Sequence, residues 1–276
     1  MRIAVYQMAS GIDPYANCVQ ISEAIATAAT NGAAMLFTPE MSNMIDSDRS
    51  RSAAKLSTED DDTVLKAICK AAASHRMWVH IGSMAFAKQT NGDQRVNRGI
   101  VIDDNGQIRA RYDKLHLFDV DLPSGERWRE SSVYGAGAGA VSVATPVGTV
   151  GLSICYDLRF PALYQSLSNS GADVLAIPAA FTVPTGKAHW HTLLRARAIE
   201  NAAWVVAAAQ SGAHEDGRAT FGHSLVVDPW GDIVLDMADK LGVGYAEIDH
   251  ARTADVRARI PVLAHRRSIP DVVIAQ

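Results

Sequence analysis

The sequence has 276 residues, 48% of them hydrophobic, which is enough for one large α/β domain with a sizeable core. The net charge of −4 and the lack of a dense basic stripe argue against nucleic acid as the main partner. No apolar stretch reaches the roughly 20 residues of a membrane span, and the opening MRIAVYQMAS lacks the basic and apolar regions of a signal peptide. We therefore expect no membrane association and a cytoplasmic location.

Strand-like and helix-like segments alternate along the chain. In order, the hydrophobic pattern predicts a strand at 2–8, a helix at 17–29, a strand at 34–37, a helix at 61–74, a strand at 78–86, a hairpin at 98–111, two strand pieces within 141–155, a helix at 162–169, a strand at 173–177, a helix at 189–202, a strand at 204–209, a hairpin at 224–235, a strand at 244–248 and a helix at 251–259. No Pro/Ser-rich linker or low-complexity tract divides the chain, so we expect a single domain over residues 1–276.

The two halves of the chain carry a faint internal repeat. The segment GAAMLFTP at 32–39 resembles GADVLAIP at 171–178, and a strand and a helix precede each of them. The repeat predicts two related halves, with two sheets packed together and helices outside. A single doubly wound sheet is the alternative.

The spacing of the cysteines and histidines favours neither disulfides nor a metal. Cys18, Cys69 and Cys155 are far apart and form no C-x-x-C pair, which is typical of a protein in a reducing compartment. His189 and His191 do not belong to an H-E-x-x-H pattern. We therefore expect no metal site.

Cys155 is a candidate nucleophile because it lies where a buried strand turns into a helix. A helix N-terminus lowers the pKa of a thiol and presents backbone N–H groups to an oxyanion; the alternative is a buried structural cysteine. Glu40 follows the strand at 34–37, where a carboxylate suits a site at the carboxyl ends of strands, unless it is a solvated loop residue. Lys114 lies among apolar residues, although most lysines simply reach water. Glu130 carries the weakest local signal.

Four motifs together resemble the nitrilase superfamily of carbon–nitrogen hydrolases, and the likeness extends over residues 2–267. They are Thr38-Pro39-Glu40, DKLHLFD at 113–119, Arg129-Glu130-Ser131 and CYDLRFP at 155–161. The resemblance implies an α-β-β-α sandwich, a homodimer or a higher homo-oligomer built on it, and neither a metal nor an organic cofactor.

The resemblance also implies a role for each motif residue. Cys155 matches the nucleophile, Glu40 the general base, and Lys114 the lysine that stabilises the oxyanion. Glu130 matches a second glutamate that helps to position the substrate and the base. The backbone N–H of Tyr156 would join Lys114 in the oxyanion hole. Such a site would hydrolyse a small-molecule amide through a thioester on the cysteine.

Further stretches are similar to the Nit-type amidases, which include deaminated glutathione amidases and ω-amidases. They are GKAHW at 186–190, LRARAIEN at 194–201, AAAQSG at 207–212 and GHSLVVDPWG at 222–231. The third stretch, the Arg-x-Arg pair of the second, and Arg129 before Glu130 favour the deaminated glutathione amidases, although the Arg-x-Arg pair is also typical of a structural helix face that makes salt bridges. The expected reaction therefore releases α-ketoglutarate and cysteinylglycine. An ω-amidase acting on α-ketoglutaramate or α-ketosuccinamate, a nitrilase, and a catalytically silent scaffold are the alternatives.

The expected substrate carries carboxylates, which the pocket must bind with cations or amide donors. Arg129 is the candidate, because its planar guanidinium can make two hydrogen bonds to a carboxylate. An ion pair between Arg129 and an acid such as Glu126 is the alternative. Phe181 and Thr182 are expected to form the facing wall of the pocket.

Two segments differ from the family pattern. A glycine-rich stretch stands at 135–139, where relatives usually have a Pro-Gly turn, and the tail at 268–273 is also unusual. We expect greater flexibility of the first and an altered dimer contact at the second.

Overall fold

Two six-stranded sheets form the centre of the protein, and helices cover their outer faces. The computed structural model describes residues 1–88, 94–121, 125 and 127–275. The strands are β1 (Arg2–Gln7), β2 (Met35–Phe37), β3 (Trp78–Ala87), β4 (Arg95–Ile102), β5 (Ile108–Asp113), β6 (Asp119–Asp121), β7 (Arg127–Arg129), β8 (Val141–Thr145), β9 (Gly148–Leu152), β10 (Val174–Ala176), β11 (Trp204–Ala207), β12 (Ser211–Ala213), β13 (Ala219–Phe221), β14 (Leu225–Val227), β15 (Ile233–Asp236) and β16 (Gly242–Glu247). The helices are α1 (Pro14–Thr30), α2 (Arg49–Ala53), α3 (Thr63–His75), α4 (Pro161–Asn169), α5 (Val183–Asn201) and α6 (His250–Arg259).

The two sheets have the same internal arrangement. One runs in the order β16-β1-β2-β3-β4-β5 and the other in the order β8-β9-β10-β11-β14-β15. In each sheet the second, third and fourth strands are parallel to one another, and the other neighbours pair antiparallel. The repeat seen in the sequence falls on β2 and β10, the third strand of each sheet. The two halves of the chain therefore form equivalent structures.

Successive side chains along the strands point alternately to the core between the sheets and to the outer helices. On β1 and β2, Val5 and Phe37 belong to the core between the sheets, whereas Ala4 and Leu36 face the helices α1 and α3. This is the period of two expected for a strand that is buried on both faces. Leu163 on α4 and other residues of α4 and α5 cover the outer face of the second sheet. The result is an α-β-β-α sandwich, as predicted, and the alternative of a single doubly wound sheet is wrong.

Some helix boundaries and short elements differ from the sequence prediction. The helix α5 begins at Val183 rather than at 189, because Pro184 lies in its first turn, where the missing N–H is not needed. Asp13 caps α1 by accepting a hydrogen bond from the backbone N–H of Tyr15, so this helix begins at Pro14 rather than at 17. The short elements α2, β6, β7, β12 and β13 were not predicted. The missed strands read DVD, RWR, SGA and ATF and show no apolar run, whereas the equally short β2, β10 and β14 are continuously apolar and buried.

The loops after several strands converge at one end of the sandwich. Glu40 follows β2, Lys114 follows β5 and Cys155 follows β9. These three residues therefore come from strand ends of both sheets. None of the helices within the described part of the chain has the length and apolarity needed to span a membrane.

Candidate active site

The structure brings the four predicted catalytic residues into one buried cluster. Lys114 Nζ lies 2.8 Å from Glu40 Oε1 and 2.9 Å from Glu130 Oε2. The thiol of Cys155 lies close enough to Glu40 for each group to shift the pKa of the other. Glu40, Lys114 and Cys155 are only 4%, 2% and 8% exposed, so their charges interact with little screening by water. A thiol, a carboxylate and an ammonium group are thus held together in a largely dry site.

Asn97 is a member of this cluster that sequence reasoning missed. Its Nδ2 donates to Glu40 Oε1 at 3.0 Å and to Glu130 Oε1 at 3.2 Å. It lies on β4, and the backbone N–H of Lys114 donates to its carbonyl oxygen at 3.0 Å. The only sequence signal is a polar residue inside a strand pattern, and the predicted hairpin began one residue later, at 98. Asn97 and Lys114 together join the two carboxylates.

Two backbone N–H groups complete the hydrogen bonding of the carboxylates. The N–H of Ala180 donates to Glu40 Oε2 at 2.9 Å, and the N–H of Phe118 donates to Glu130 Oε2 at 2.7 Å. Both oxygens of each glutamate therefore accept hydrogen bonds, and one of these bonds comes from a backbone N–H. Neither contact can be read from the local sequence, because both join segments that are distant along the chain.

Cys155 has a strained backbone conformation. Its φ of 51° lies in the left-handed region, which costs a non-glycine residue of order 1 kcal/mol or more. Its N–H donates to the carbonyl oxygen of Pro178 at 2.8 Å, and Cys155 opens a single 3₁₀ turn, Cys155–Arg159. The next N–H group, that of Tyr156, belongs to the same turn. This conformation presents the thiol at the end of the strand.

Asp157 holds the turn in place. This buried carboxylate accepts hydrogen bonds from the backbone N–H of Ile154 at 2.9 Å and from the backbone N–H of His116 at 2.9 Å. The hydroxyl of Tyr112 donates to it at 2.7 Å. Asp157 thus connects the turn that carries Cys155 to the segment that carries Lys114.

The charges of the cluster are set by burial and by the neighbouring groups. Burial raises the pKa of Glu40, but the charge of Lys114 and hydrogen bonds from the thiol, the ammonium and Asn97 outweigh it, so the pKa is lowered. Burial lowers the pKa of Lys114, and the charges of Glu130 and Glu40 reverse this effect and raise it. The resting site therefore contains a carboxylate at Glu40 and an ammonium group at Lys114.

The pKa of Cys155 is raised, which corrects the sequence expectation. Burial is the largest cause, and the negative charge of Glu40 adds to it, whereas Lys114 acts in the opposite direction. A helix N-terminus was expected to lower this pKa, but one 3₁₀ turn does not outweigh burial beside a carboxylate. The cysteine therefore rests as a neutral thiol near the Glu40 carboxylate.

A cavity of about 320 Å³ opens above the cluster. All eight predicted site residues line it: Glu40, Lys114, Arg129, Glu130, Cys155, Tyr156, Phe181 and Thr182. Phe181 packs on Trp190 with ring centroids 4.8 Å apart, and the Thr182 hydroxyl lies 2.8 Å from that of Thr185. The wall predicted from the sequence is therefore part of the cavity.

Arg129 is occupied by an ion pair within the protein. Its Nη2 donates to both carboxylate oxygens of Asp121, at 2.8 and 2.9 Å, and its Nη1 donates to the carbonyl oxygen of Val120. The alternative partner named from the sequence, Glu126, lies outside the described residues. The fork of Arg129 already holds a carboxylate of the chain, so its binding of substrate remains a prediction.

Three other arginines on the cavity wall lack a carboxylate partner among the residues that the structure describes: Arg49, Arg95 and Arg159. Arg159 lies over the rings of Phe181 and Tyr156, 5.7 and 5.9 Å from their centroids. Arg49 donates to the Ser132 hydroxyl at 2.6 Å. Arg95 donates to the Ser52 hydroxyl at 2.8 Å and to the carbonyl oxygen of Arg49 at 2.7 Å, so none of these hydrogen bonds ends on an acid within the described part of the chain.

The glycine-rich stretch is attached to the site. The N–H of Gly137 donates to the carbonyl oxygen of Lys114 at 2.9 Å, and the N–H of Gly135 donates to that of Arg95 at 2.9 Å. A Cβ on Gly137 would overlap the carbonyl group of Asp113. Gly135 and Gly137 therefore pack against the segment that carries the lysine, whereas nothing lies within 4 Å of a Cβ on Gly139, and the flexibility of the stretch stays a prediction.

Comparison with known proteins places the chain in a family. The carbon–nitrogen hydrolase family model matches residues 2–258. The chain belongs to the carbon–nitrogen hydrolase family. The deaminated glutathione amidase of Yersinia enterocolitica is 36% identical over 272 residues, which cover 98% of this chain and 94% of that protein.

Two relatives of known structure share the fold of this carbon–nitrogen hydrolase. The nitrilase and fragile histidine triad fusion protein NitFhit of Caenorhabditis elegans is 40% identical over 267 residues, covering 96% of this chain but only 60% of NitFhit. Its crystal structure matches with a TM-score of 0.89, covering 96% of this chain and 65% of that one. Saccharomyces cerevisiae Nit3, a member of branch 10 of the nitrilase superfamily, matches with a TM-score of 0.87 at 25% identity and 97% coverage of each chain. The resemblance stated from the motifs is thereby confirmed.

Proposed function

We propose that the protein is an amidase in which Cys155 is the nucleophile and Glu40 the general base. The observation that carries this proposal is the placement of a buried thiol, a buried carboxylate and a buried ammonium group on the wall of one cavity. As Sγ attacks the amide carbon, Glu40 takes the thiol proton, so the nucleophile is charged only when it reacts. Proton transfer thus accompanies bond formation.

Lys114 stabilises the tetrahedral intermediate. Its ammonium group is kept charged by Glu40 and Glu130, and together with the N–H of Tyr156 it offsets the charge on the oxyanion. Collapse of the intermediate breaks the C–N bond, and Glu40 gives its proton to the leaving amine. The acyl group then remains on Cys155 as a thioester.

Hydrolysis of the thioester uses the same residues in reverse order. Glu40 takes a proton from water, whose oxygen attacks the thioester carbon, and Lys114 again stabilises the oxyanion. The C–S bond breaks, the carboxylic acid leaves, and the sulfur of Cys155 recovers its proton from Glu40. Glu130 and Asn97 touch no reacting atom in this scheme; they position Lys114 and Glu40.

The proposed substrate is deaminated glutathione, the amide named for the Yersinia relative. Its scissile amide joins an α-keto acid to cysteinylglycine, so each side carries a carboxylate. Arg159 is the last residue of the turn that begins at Cys155 and suits one of them, and Arg49, on α2, suits the other. Arg95, on β4, adds positive charge beside Arg49, although both of its Nη atoms already donate within the chain. An ω-amidase substrate lacks a carboxylate on the leaving side. Uncompensated arginines on separate elements therefore favour deaminated glutathione.

A substrate panel tests the proposal. The purified enzyme is assayed with deaminated glutathione, α-ketoglutaramate and a neutral amide, with detection of cysteinylglycine and ammonia. We expect kcat/KM to be highest for deaminated glutathione and no turnover in Cys155→Ala. A preference for α-ketoglutaramate would indicate an ω-amidase, and no turnover of any amide would indicate a silent scaffold.

Arg159→Lys tests carboxylate binding. The change keeps the charge and removes the planar fork, so we expect KM for deaminated glutathione to rise about tenfold, the equivalent of about 1.4 kcal/mol. Arg129→Lys is the matched comparison, because Asp121 already pairs with that side chain. Turnover of a neutral amide should change little in either variant. A larger KM effect at Arg129 would restore it as the carboxylate ligand.

We also propose that residues 1–276 form one domain, which works as a homo-oligomer in the cytoplasm. Its three cysteines are free, which suits a reducing compartment. Apolar side chains at the end of the chain are 87–91% exposed: Ile269, Val272, Val273 and Ile274. Such a tail is suited to packing on another copy. Light scattering of the full chain and of a chain that ends at residue 267 tests this: truncation should weaken the oligomer.

A further inference from the structure

A second cluster of chemically active side chains lies outside the cavity. His191 on α5, His223 between β13 and β14, and Asp236 at the end of β15 meet at the surface. His191 Nε2 lies 3.1 Å from Asp236 Oδ2, and His223 Nδ1 lies 2.9 Å from Oδ1 and 3.2 Å from Oδ2. One ligand atom from each of the three residues lies within 4.8 Å of the others. None of the three lines the cavity.

These separations are close to those between ligands of a small divalent metal ion. Metal–nitrogen and metal–oxygen bonds of about 2.0–2.2 Å place neighbouring ligand atoms about 2.8–3.1 Å apart in an octahedral shell and about 3.3–3.6 Å apart in a tetrahedral one. Both His–Asp distances nearly meet this condition, and small rotations of the rings would bring the third pair into range. Two imidazoles and one carboxylate suit zinc and similar transition-metal ions rather than magnesium or calcium.

The backbone holds two of the ligands before any ion arrives. The N–H of His223 donates to the carbonyl oxygen of Ala238 at 2.6 Å, and the His223 carbonyl oxygen accepts from Trp190 Nε1 at 2.7 Å. The N–H of Ala238 also donates to Asp236 Oδ1 at 2.8 Å. His223 has a φ of 55°, a strained value for a residue with a side chain. Preorganised ligands lose little conformational entropy on binding.

An aromatic ring covers one side of the cluster, and solvent reaches the other. The ring of Phe221 stacks on His223, with centroids 4.5 Å apart and planes 22° apart, and lies edge-on to His191. The side chains of His191, His223 and Asp236 are 35%, 27% and 32% exposed. An ion could therefore enter from solvent and complete its coordination with water. We propose that these three residues bind one divalent transition-metal ion of the zinc class.

The bound ion would stabilise the fold by linking distant segments and would take no part in catalysis. It would join α5 to the β13–β15 region, beside Trp190, whose ring packs on Phe181 of the cavity wall. The neighbouring His189 is not part of it, since its Nδ1 lies 3.3 Å from a guanidinium nitrogen of Arg159. His189 therefore offers a matched control two residues from a ligand.

Titration of the full chain with Zn²⁺ tests the site. The tag-free protein is stripped of metal and titrated by calorimetry, in the Cys155→Ala background so that the cavity thiol does not contribute. We expect one saturable site per chain and a rise in the thermal midpoint of about 2 °C or more. Co²⁺ should give the visible absorption of a nitrogen- and oxygen-ligated ion.

Single substitutions decide whether these residues are the ligands. His191→Ala and the isosteric Asp236→Asn should each weaken Zn²⁺ binding at least about tenfold, because each removes one of three protein ligands. His189→Ala should leave the affinity unchanged. Circular dichroism checks that each variant is folded, and Asp236→Asn alone suffices if the alanine variant is not. Absence of saturable binding, or equal affinity in Asp236→Asn and its parent, would overturn the proposal and leave a hydrogen-bonded His–Asp–His cluster.

Discussion

Lys114→Met gives the most direct test of the charge arrangement at the active site. Methionine has nearly the length of lysine and no charge, so Glu40 and Glu130 lose their common cation while the volume is kept. The ammonium nitrogen lies 2.8 Å from one carboxylate and 2.9 Å from the other, and both are largely buried. Removing one partner of a buried ion pair costs about 3–5 kcal/mol. We expect this loss of unfolding free energy at pH 8.

The loss of unfolding free energy in Lys114→Met should depend on pH, and the ionisation of Glu40 decides whether it grows or shrinks as the pH rises. In the wild type the pKa of Glu40 is lowered, so the carboxylate stabilises the fold above its unfolded pKa, and this contribution is lost as the pH falls. Without Lys114, burial and the charge of Glu130 raise this pKa above the unfolded value. Stability is then lost as the pH rises. The variant should therefore lie closer to the wild type at pH 5 than at pH 8, by about 1.4 kcal/mol for each unit by which the raised pKa exceeds 5.

Urea unfolding at both pH values measures the effect. The control is Glu40→Gln added to Lys114→Met, which removes the unpaired charge and should recover part of the stability. Turnover of Lys114→Met should fall by about 10²–10³-fold, as expected for a lost oxyanion partner. Equal losses at pH 5 and pH 8, or a double variant less stable than Lys114→Met, would refute the assigned charges.

Three further predictions concern the nucleophile, its support and its base. Cys155→Ala should abolish turnover and the acyl adduct seen by mass spectrometry while circular dichroism stays unchanged; residual turnover above a few per cent would contradict covalent catalysis. Gly137→Ala should lower kcat about tenfold, because it displaces Asp113 and the lysine that follows it. Gly139→Ala is the control in steady-state kinetics and should leave kcat unchanged, because a Cβ at Gly139 meets open space. In a pH profile of kcat/KM, the acid limb set by Glu40 should lie below pH 4.5, since its pKa is lowered from that value; an acid limb near neutrality would show that another group is the base.

Much of the fold could be predicted because its signals are local or repeated. The alternation of strand and helix patterns, together with the echo between 32–39 and 171–178, predicted two equivalent sheets. The two segments form the third strand of each sheet. The strands β6, β7, β12 and β13 were missed because they contain no apolar run. The start of α5 was missed because Pro184 is a helix starter only in a first turn.

The site was predicted in part. The motif resemblance identified Cys155, Glu40, Lys114 and Glu130, which the structure brings together. Asn97 was missed because its contact with two carboxylates depends on the pairing of β4 with neighbouring segments. The direction of the thiol pKa was wrong for a related reason: burial and a neighbouring carboxylate are properties of the assembled site, whereas a helix start is visible in the sequence.

The equivalence of the two sheets has a consequence for how the enzyme depends on its core. Glu40 and Lys114 follow strands of the first sheet, and Cys155 follows a strand of the second, so each half of the chain holds only part of the machinery. In the proposed mechanism, proton transfer from the sulfur to the carboxylate therefore requires the two sheets to keep their alignment. Substitutions in the layer between the sheets, such as at Val5, can reduce turnover without touching the substrate. The rate of turnover would then report how well the two halves of the chain are aligned.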